Sequence, residues 1–546
     1  MSKTEFRRYL FLIFVLVMFS ATALFGGIME PDGALYASIA KNMALHNDWL
    51  NLNVRGADWL DKPHLPFWLA AISFKIFGVS SFAYKFPSFL FGLVGAWYTY
   101  LLAKNIYDKK TGLISALIFL SALHILISTF DVRAEIYITA FTLAAIYHYY
   151  KAHQKSLWHI IAGSFFAACA IMVKGIFVLI PVFGGFIIYW LITKQFKELI
   201  KIKWWTAILL ILIFITPELY ALYSQFDLHP EKVVFGNTQV SGLKFFFWDS
   251  QFGRFFNNGP IKGKGDLSFF LHTTIWAFLP WSFLFYTGVA NLFQKKSRNA
   301  LPKESIIIWT SAAITFLLFS FSKFQLPHYI LIILPQFAII TAVYLQRLNE
   351  KTSKIFFIIQ TAVSLLVAIL LGVIAYFFEF NGYVIAIILV VISPIIALLL
   401  FKKPSTFSIV GRSIFISYSL GLFLCVFFYT AVLKYESGME AGLWLKENHP
   451  KAKVKVLMYP DAYSLDFYAN GDVEYLWNYE DLKKLNKQEN NILYVHDDEL
   501  AQVKRDYNAE VLEGFEYYHI TKLTPKFINA DSRPTVLEHF YLVRLH

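Results

Sequence analysis

The chain has 546 residues, of which 57% are hydrophobic, 18% aromatic and only 16% charged. Soluble domains hold an apolar share near one half and a charged share near one quarter, so this balance excludes a soluble globule and describes a polytopic helical membrane protein. The net charge of +12 sits mostly in short loops between apolar runs, where it sets orientation and meets anionic headgroups rather than nucleic acid.

The amino end carries Lys3, Arg7 and Arg8 before an apolar run from Tyr9 to Ile28, with Ala21-Thr22-Ala23 as a cleavage-like triplet. The run exceeds the roughly 7–15 residues of a secretory hydrophobic region, so it reads as the first span. About thirteen spans follow from hydropathy, at roughly 9–28, 82–103, 112–130, 136–150, 157–173, 175–192, 204–223, 268–292, 305–321, 327–346, 355–378, 383–401 and 412–433. Lysine and arginine recur in every second loop, from Lys104, Lys109 and Lys110, through Lys151 and Lys155, to Lys402 and Lys403. This alternation expects a cytoplasmic amino terminus and a carboxyl tail outside an inner (plasma) membrane. Cys169 and Cys425 each lie inside an apolar run, which argues against a disulfide, a zinc site or a redox role.

Two outside loops are long. In the first, about 29–81, Asp32 precedes a helical pattern of Leu35, Ile39 and Met43 suited to the membrane interface, and a second short apolar helix is expected to start at Pro63. The second, about 224–267, holds Phe245, Phe246, Phe247 and Trp248 before Asp249 and Arg254. From about Lys434 the pattern becomes α/β, with strands expected at 454–458, 492–495 and 516–520 and a helix at 480–486. The expected division is a transmembrane part, 1–433, and an extracytoplasmic α/β domain, 434–546. No solenoid repeat, low-complexity tract or heptad run is present.

The outside face keeps a small set of charges: Glu30, Asp32, Asp61, Lys62, Arg133, Glu135, Lys174, Arg254 and Lys323. Ionisable groups at membrane depth are costly and mark functional sites. Asp32 reads either as an N-cap, worth about 1 kcal/mol, or as a general base beside a cationic groove. In Asp61-Lys62-Pro63-His64 the proline favours an extended Lys62, presented to a ligand or simply paired with Asp61. A lone cation in a tight turn is often a snorkelling side chain. The turns at Arg133, at Lys174-Gly175 and at Ser322 to Tyr329, which includes Lys323 and His328, together with Arg254, instead suit a phosphate. The Gly259 to Gly265 segment lacks P-loop spacing, so the anion is best read as a lipid headgroup.

Several segments in order resemble bacterial polyprenyl-phosphate-sugar-dependent glycosyltransferases, the group of the lipid A aminoarabinose transferases and relatives of the protein O-mannosyltransferases. They are Glu30 to Ala37, Asp48-Trp49-Leu50, Leu60-Asp61-Lys62-Pro63, Phe67-Trp68-Leu69, Arg133-Ala134-Glu135, Val173-Lys174-Gly175, Phe247-Trp248 with Arg254, Pro280-Trp281-Ser282, and Ser322-Lys323 through Leu326-Pro327. The resemblance covers roughly residues 10–345. It implies an all-α C-type glycosyltransferase membrane fold with interfacial helices and the small α/β domain behind it. It implies transfer of a sugar from a polyprenyl monophosphate to a lipid, glycan or protein at the outer face, with inversion. Asp32 and Glu135 are then the catalytic carboxylates. Lys62, Arg254, Lys174 and Lys323 bind the donor phosphate, and Glu30, Asp61, Arg133 and His328 are accessory. The family's second acid is usually Asp where this chain has Glu135. The residue before Lys62 is often Glu in the aminoarabinose branch, where it is tied to a metal; here it is Asp61, leaving Asp61 and His64 as the candidates for a divalent metal and no other cofactor expected. The competing readings are a lipid-linked sugar flippase and a binding module on a membrane anchor. Charges gathered at one interface, without an internal repeat, disfavour the first, and the number of spans disfavours the second.

Overall fold

The computed structural model describes residues 1–154, 157–259, 261–459, 462–471, 473–484 and 491–545. Helix α1 (Lys3–Thr22) starts at Ser2, whose hydroxyl accepts from the Glu5 N–H at 3.1 Å. Helix α2 (Asp32–His46) follows, then a two-stranded hairpin, β1 (Asn53–Val54) and β2 (Ala57–Asp58). Its turn is Arg55-Gly56, both left-handed with φ of 58° and 71°, as tight hairpins demand. Helix α3 (Leu65–Phe77) begins two residues beyond the expected Pro63; Pro66, not Pro63, occupies its first turn, where the missing N–H costs nothing.

Helix α4 (Ser81–Ile106) is capped by Ser80, and α5 (Lys109–Ser121) by Asp108. α5, which starts three residues before the expected 112–130 span, and α6 (Leu123–Phe130) together cover it but bend by 54° between them. Helices α7 (Ala134–His153), α8 (Trp158–Lys174) and α9 (Leu179–Ile192) complete the first half. Lys155 lies outside the described residues. Among the described residues, seven helices are long and apolar enough to cross a membrane, or eight if the bent pair counts as one, and α8, Ile176–Ile192 and Ser305–Phe321 are shorter apolar helices. The helices Glu350–Phe378 and Tyr383–Leu400 expose Ile358, Leu366, Ile369 and Leu399, an apolar outer surface that belongs in lipid. The expected 268–292 span is divided into Phe269–Ala277 and Ser282–Leu292, with Pro280 in the break. A proline cannot continue the hydrogen-bond ladder there.

The carboxyl-terminal sheet domain has five strands in the order β4-β3-β5-β7-β6. β3 (Val454–Leu457) pairs in parallel with β4 (Val473–Leu476) and β5 (Ile492–His496), while β7 (Glu538–Leu545) is antiparallel to β5 and to β6 (Ala509–Tyr517). Two expectations shift: the strand placed at 516–520 is β6, which ends at Tyr517, and the helix placed at 480–486 is Tyr479–Lys483. Positions 485 and 486 of that expected helix lie outside the described residues. β3 and β5 are buried along most of their length, with Val456, Leu457, Tyr494 and Leu493 inaccessible. Such strands read as continuous apolar runs and were visible as such.

This domain grips the first long loop. The Lys41 ammonium in α2 donates to the carbonyls of Asp466, Phe467 and Ala469 at 2.7, 3.2 and 2.7 Å, the free carbonyls that end the short helix Tyr463–Tyr468. The Arg55 guanidinium pairs with Asp466 at 3.1 Å and lies between the rings of Tyr463 and Tyr475, 3.5 and 4.2 Å from their centroids. The Tyr468 hydroxyl accepts from the Ile28 N–H at 2.9 Å. The chain entering α2 is therefore fixed from both sides.

Candidate functional site

Three paired carboxylates converge where α2, the 61–64 turn, the start of α7 and the end of α8 meet. Asp32 is the first helical residue of α2, with Pro31 at the cap position, so its side chain makes no capping bond. The Asp32 carboxylate instead accepts from Arg133 Nη1 at 2.5 Å. Arg133 is held in turn by Asp131, which accepts from Nε at 2.8 Å and lies 2.7 Å from Nη2. Asp61 takes Lys62 on one oxygen and Arg254 on the other. Glu135 is paired with Lys174 and lies 3.7 Å from His328 Nε2. The Lys174 ammonium also sits 3.5 Å from the centroid of the Tyr329 ring.

Local sequence explains these placements. Gly175 has φ of 118°, a conformation that side chains rarely adopt, and a Cβ there would collide with the Gln251 side chain. Gln251 instead approaches and donates to the Lys174 carbonyl at 3.0 Å, tying the end of α8 to the Phe245–Gly253 segment. That segment is helical with widened π turns and runs directly into Arg254, which it delivers to Asp61. Burial, the largest influence on Asp61, raises its proton affinity, but Lys62 and Arg254 outweigh burial and hold the carboxyl below its ordinary value.

Two cavities meet at this cluster. A groove of about 340 Å³ is walled by apolar side chains such as Phe177, Ile180, Phe246 and Phe319. A smaller chamber of about 160 Å³ includes Asp32, Tyr36, Trp59, Arg133, Glu135 and His328. Both are bordered by Asp61, Lys62, Lys174, Arg254, Phe324 and Tyr329. A row of cations thus separates an oily slot from a polar one, a shape suited to a ligand with a long apolar tail, an anionic joint and a polar head.

Other expected site residues lie elsewhere. The Glu30 carboxylate turns to the carboxyl-terminal domain, accepting from the Ser464 N–H and hydroxyl, both at 2.6 Å, and Glu30 lines neither cavity. Lys323 is exposed and lines neither cavity; its N–H donates to the Phe255 carbonyl at 3.2 Å. His64 is fully buried, with Nδ1 3.0 Å from Glu218 and Nε2 3.0 Å from the Leu50 carbonyl. Both its ring nitrogens are taken by protein acceptors and both Asp61 oxygens by cations, so this donor set as arranged does not fit a metal. Sequence reasoning missed Asp131, Glu218, Gln251 and Tyr329. Glu218 carried a usable signal, an acid inside an apolar run; Asp131 stood two residues before Arg133 and was overlooked.

Residues 61–220 match the family described as dolichyl-phosphate-mannose-protein mannosyltransferase. A protein of Aquifex aeolicus with no characterised function is 26% identical over 469 residues, 84% of each chain. The undecaprenyl phosphate-alpha-4-amino-4-deoxy-L-arabinose arabinosyl transferase of Shewanella sediminis is 25% identical over 336 residues, and the match spans 60% of this chain but only 57% of that enzyme. In fold, the chain is similar to ArnT from Cupriavidus metallidurans, with TM-scores of 0.79 in the apo state and 0.78 bound to undecaprenyl phosphate, at 15% and 16% identity. The likeness covers 99% and 100% of this chain and 98% of ArnT in each case. The chain thus has an ArnT-like fold with several helices long and apolar enough to cross a membrane, and the segment that matches the mannosyltransferase family holds Asp61, Lys62, Arg133, Glu135 and Lys174 of the charged cluster.

Proposed function

We propose that the protein transfers a sugar from a polyprenyl monophosphate to a lipid, glycan or protein acceptor at the outer face of the inner membrane, with inversion at the anomeric carbon. The observation that carries this reading is the shared border of the two cavities, where Lys62, Lys174 and Arg254 stand between an apolar groove and a polar chamber. The isoprenoid lies in the groove, the phosphate against the cations and the sugar in the chamber. Similar ArnT is known bound to undecaprenyl phosphate, which supports that class of donor. The alternation of positive loops supports a cytoplasmic amino terminus, with the site and the carboxyl-terminal domain outside.

Of the chamber's carboxylates, Asp32 is the base. Its side chain is 40% exposed, against 12% for Asp61 and 3% for Glu135, so an acceptor can reach it. The acceptor oxygen or nitrogen attacks the anomeric carbon from the side opposite the phosphate, and its proton passes to Asp32. The bond from that carbon to the phosphate oxygen breaks, and its electron pair stays on the phosphate. Lys62, Arg254 and Lys174 stabilise the charge that develops there, while Glu135 fixes Lys174 and Arg133 fixes Asp32. No enzyme nucleophile intervenes.

The test is release of undecaprenyl phosphate from lipid-linked sugars by full-length protein in nanodiscs, with envelope extract as the acceptor source. Wild type is expected to release it and Asp32→Asn to lose the activity while still binding the lipid phosphate; no release by wild type with any donor would overturn the reading. Orientation is tested by thiol labelling of Ala57→Cys and Lys109→Cys in intact cells. The first is expected to react with an impermeant reagent and the second only after permeabilisation.

A further inference from the structure

The proposed base, Asp32, touches a guanidinium, and a guanidinium beside a carboxylate favours the charged form and so weakens it as a base. The structure holds that effect in check. Arg133 sends one N–H to Asp32, from Nη1 at 2.5 Å, but Nε and Nη2 both face one oxygen of Asp131, at 2.8 and 2.7 Å. The guanidinium thus lies between two carboxylates, with only one of its three nitrogens turned to the base. Burial, the largest influence on Arg133, favours its neutral form, but Asp131 and then Asp32 outweigh burial and hold its proton affinity above the ordinary value. By contacts and by charge, Asp131 is the stronger partner. The second Asp32 oxygen takes no hydrogen bond among the described residues and is left for an acceptor.

Asp131 itself stays out of the reaction space. It lines neither cavity, and its side chain is 13% exposed. The end of α6 sets its place: the Asp131 N–H donates to the Ile127 carbonyl at 2.9 Å, and Arg133 stands two residues on, at the cap position of α7. Oδ1 of Asp131 is buried without a hydrogen-bond partner among the described residues, so every side-chain hydrogen bond of this carboxylate goes to Arg133. A buried oxygen without a donor is destabilising, which argues against a purely structural role. Oδ1 also lies beside the first turn of α2, since a side chain at Gly33, the neighbour of Asp32, would come within 3.7 Å of it. Asp131 therefore meets the base-bearing turn twice, through Arg133 and along the backbone.

We infer that Asp131 is a positioning residue for the transfer: it holds the Arg133 guanidinium so that a single N–H aims the Asp32 carboxylate, and it keeps the fork from closing on both oxygens of the base. The inference rests on the proposed transfer and adds to it a residue that touches no substrate. The probe is whichever undecaprenyl phosphate ester of mannose, glucose or 4-amino-4-deoxyarabinose wild type turns over, on full-length protein in nanodiscs with envelope extract as the acceptor source. Rates are expressed per site that binds labelled undecaprenyl phosphate, so misfolded protein does not count. Asp131→Asn keeps the shape and removes the charge. Its kcat should fall about tenfold, while the donor KM and the affinity for undecaprenyl phosphate stay within about twofold. Asp131→Glu, which restores the charge one methylene farther out, should recover about threefold of that loss. With Arg133→Gln in the background no fork is left to restrain, and Asp131→Asn should then change kcat by less than about twofold. An unchanged kcat in the single variant, or an equal loss in both backgrounds, would overturn the inference while leaving the transfer reading intact. If Asp131→Asn leaves no lipid-binding protein, Arg133→Gln is compared with Arg133→Gln/Asp131→Asn, in which both charges are gone: equal kcat supports the inference and a further fall contradicts it. No release by wild type from any of the esters would remove the transfer reading and the inference with it.

Discussion

The apolar groove and the polar chamber share a wall yet solve opposite problems. The groove, at about 340 Å³, is walled by apolar side chains such as Phe177, Ile180 and Phe319, and under the proposed transfer it would take the donor's hydrocarbon by burial alone, which supplies affinity with little discrimination. The chamber, at about 160 Å³, is half the size, and every carboxylate in it is held by a cation. It spends its polar groups on orientation. Under the proposed transfer, the difference teaches that a lipid-linked substrate's apolar part can be recognised by the fold's apolar wall, leaving the charged residues for the reacting atoms.

Substitutions on the two sides of that wall should separate these tasks. Asp32→Asn is the largest: it should lower transfer by about 10²–10⁴-fold, read as initial rate of lipid phosphate release, with binding of undecaprenyl phosphate unchanged. Equal losses of rate and binding would mean that Asp32 belongs to the binding wall. Next, Phe177→Ala should raise the KM of long-chain donors by several-fold, because the half-buried Phe177 ring forms part of the groove wall and its removal takes away apolar contact with the tail. A short-chain donor such as a geranyl phosphate ester, too short to reach the inner groove, should be affected less, and an equal effect on both would place Phe177 outside the tail path. Asp61→Asn should act in the opposite direction, tightening undecaprenyl phosphate binding by a few-fold by freeing Lys62 and Arg254, while slowing steady-state turnover through product release. The smallest effect concerns pH. Asp61 is held below its ordinary value, so its contribution to stability is present above about pH 4 and is lost as pH falls through the lowered value. The difference in melting temperature between wild type and Asp61→Asn should therefore be flat from pH 7 to 5 and shrink only in stronger acid.

Much of this site was legible because a charge in an apolar sequence is expensive and hence informative. Asp32, Lys62, Arg133, Glu135, Lys174 and Arg254 stood out for that reason, and the fold brings all six to one chamber. Lys323 carried the same signal but sits on the surface, since a long side chain in a turn can face either way and only packing decides. Glu30 and His64 show another limit. Half-buried Glu30 partners Ser464 and fully buried His64 partners Glu218, and pairs so far apart in sequence leave no local trace. In the fold, long apolar runs and the strand at 454–458 were readable from hydropathy. The break at Pro280 and the true start of α3 depended on which of several prolines the packing used. The grip of the carboxyl-terminal domain on α2 through Lys41, and on the β1–β2 turn through Arg55, was hidden because both residues look like ordinary helix and loop cations.

The central claim is that Lys62 and Arg254 hold the phosphate of an isoprenoid donor at the mouth between the two cavities. Equilibrium binding of labelled undecaprenyl phosphate to full-length protein in nanodiscs tests it most directly, comparing wild type with the Lys62→Ala/Arg254→Ala double variant and a folding control by melting temperature. The account predicts a loss of affinity of about a hundredfold in a variant that still melts cooperatively, since each charge-assisted bond is worth about 1.5–3 kcal/mol. Unchanged affinity in a folded double variant would contradict it.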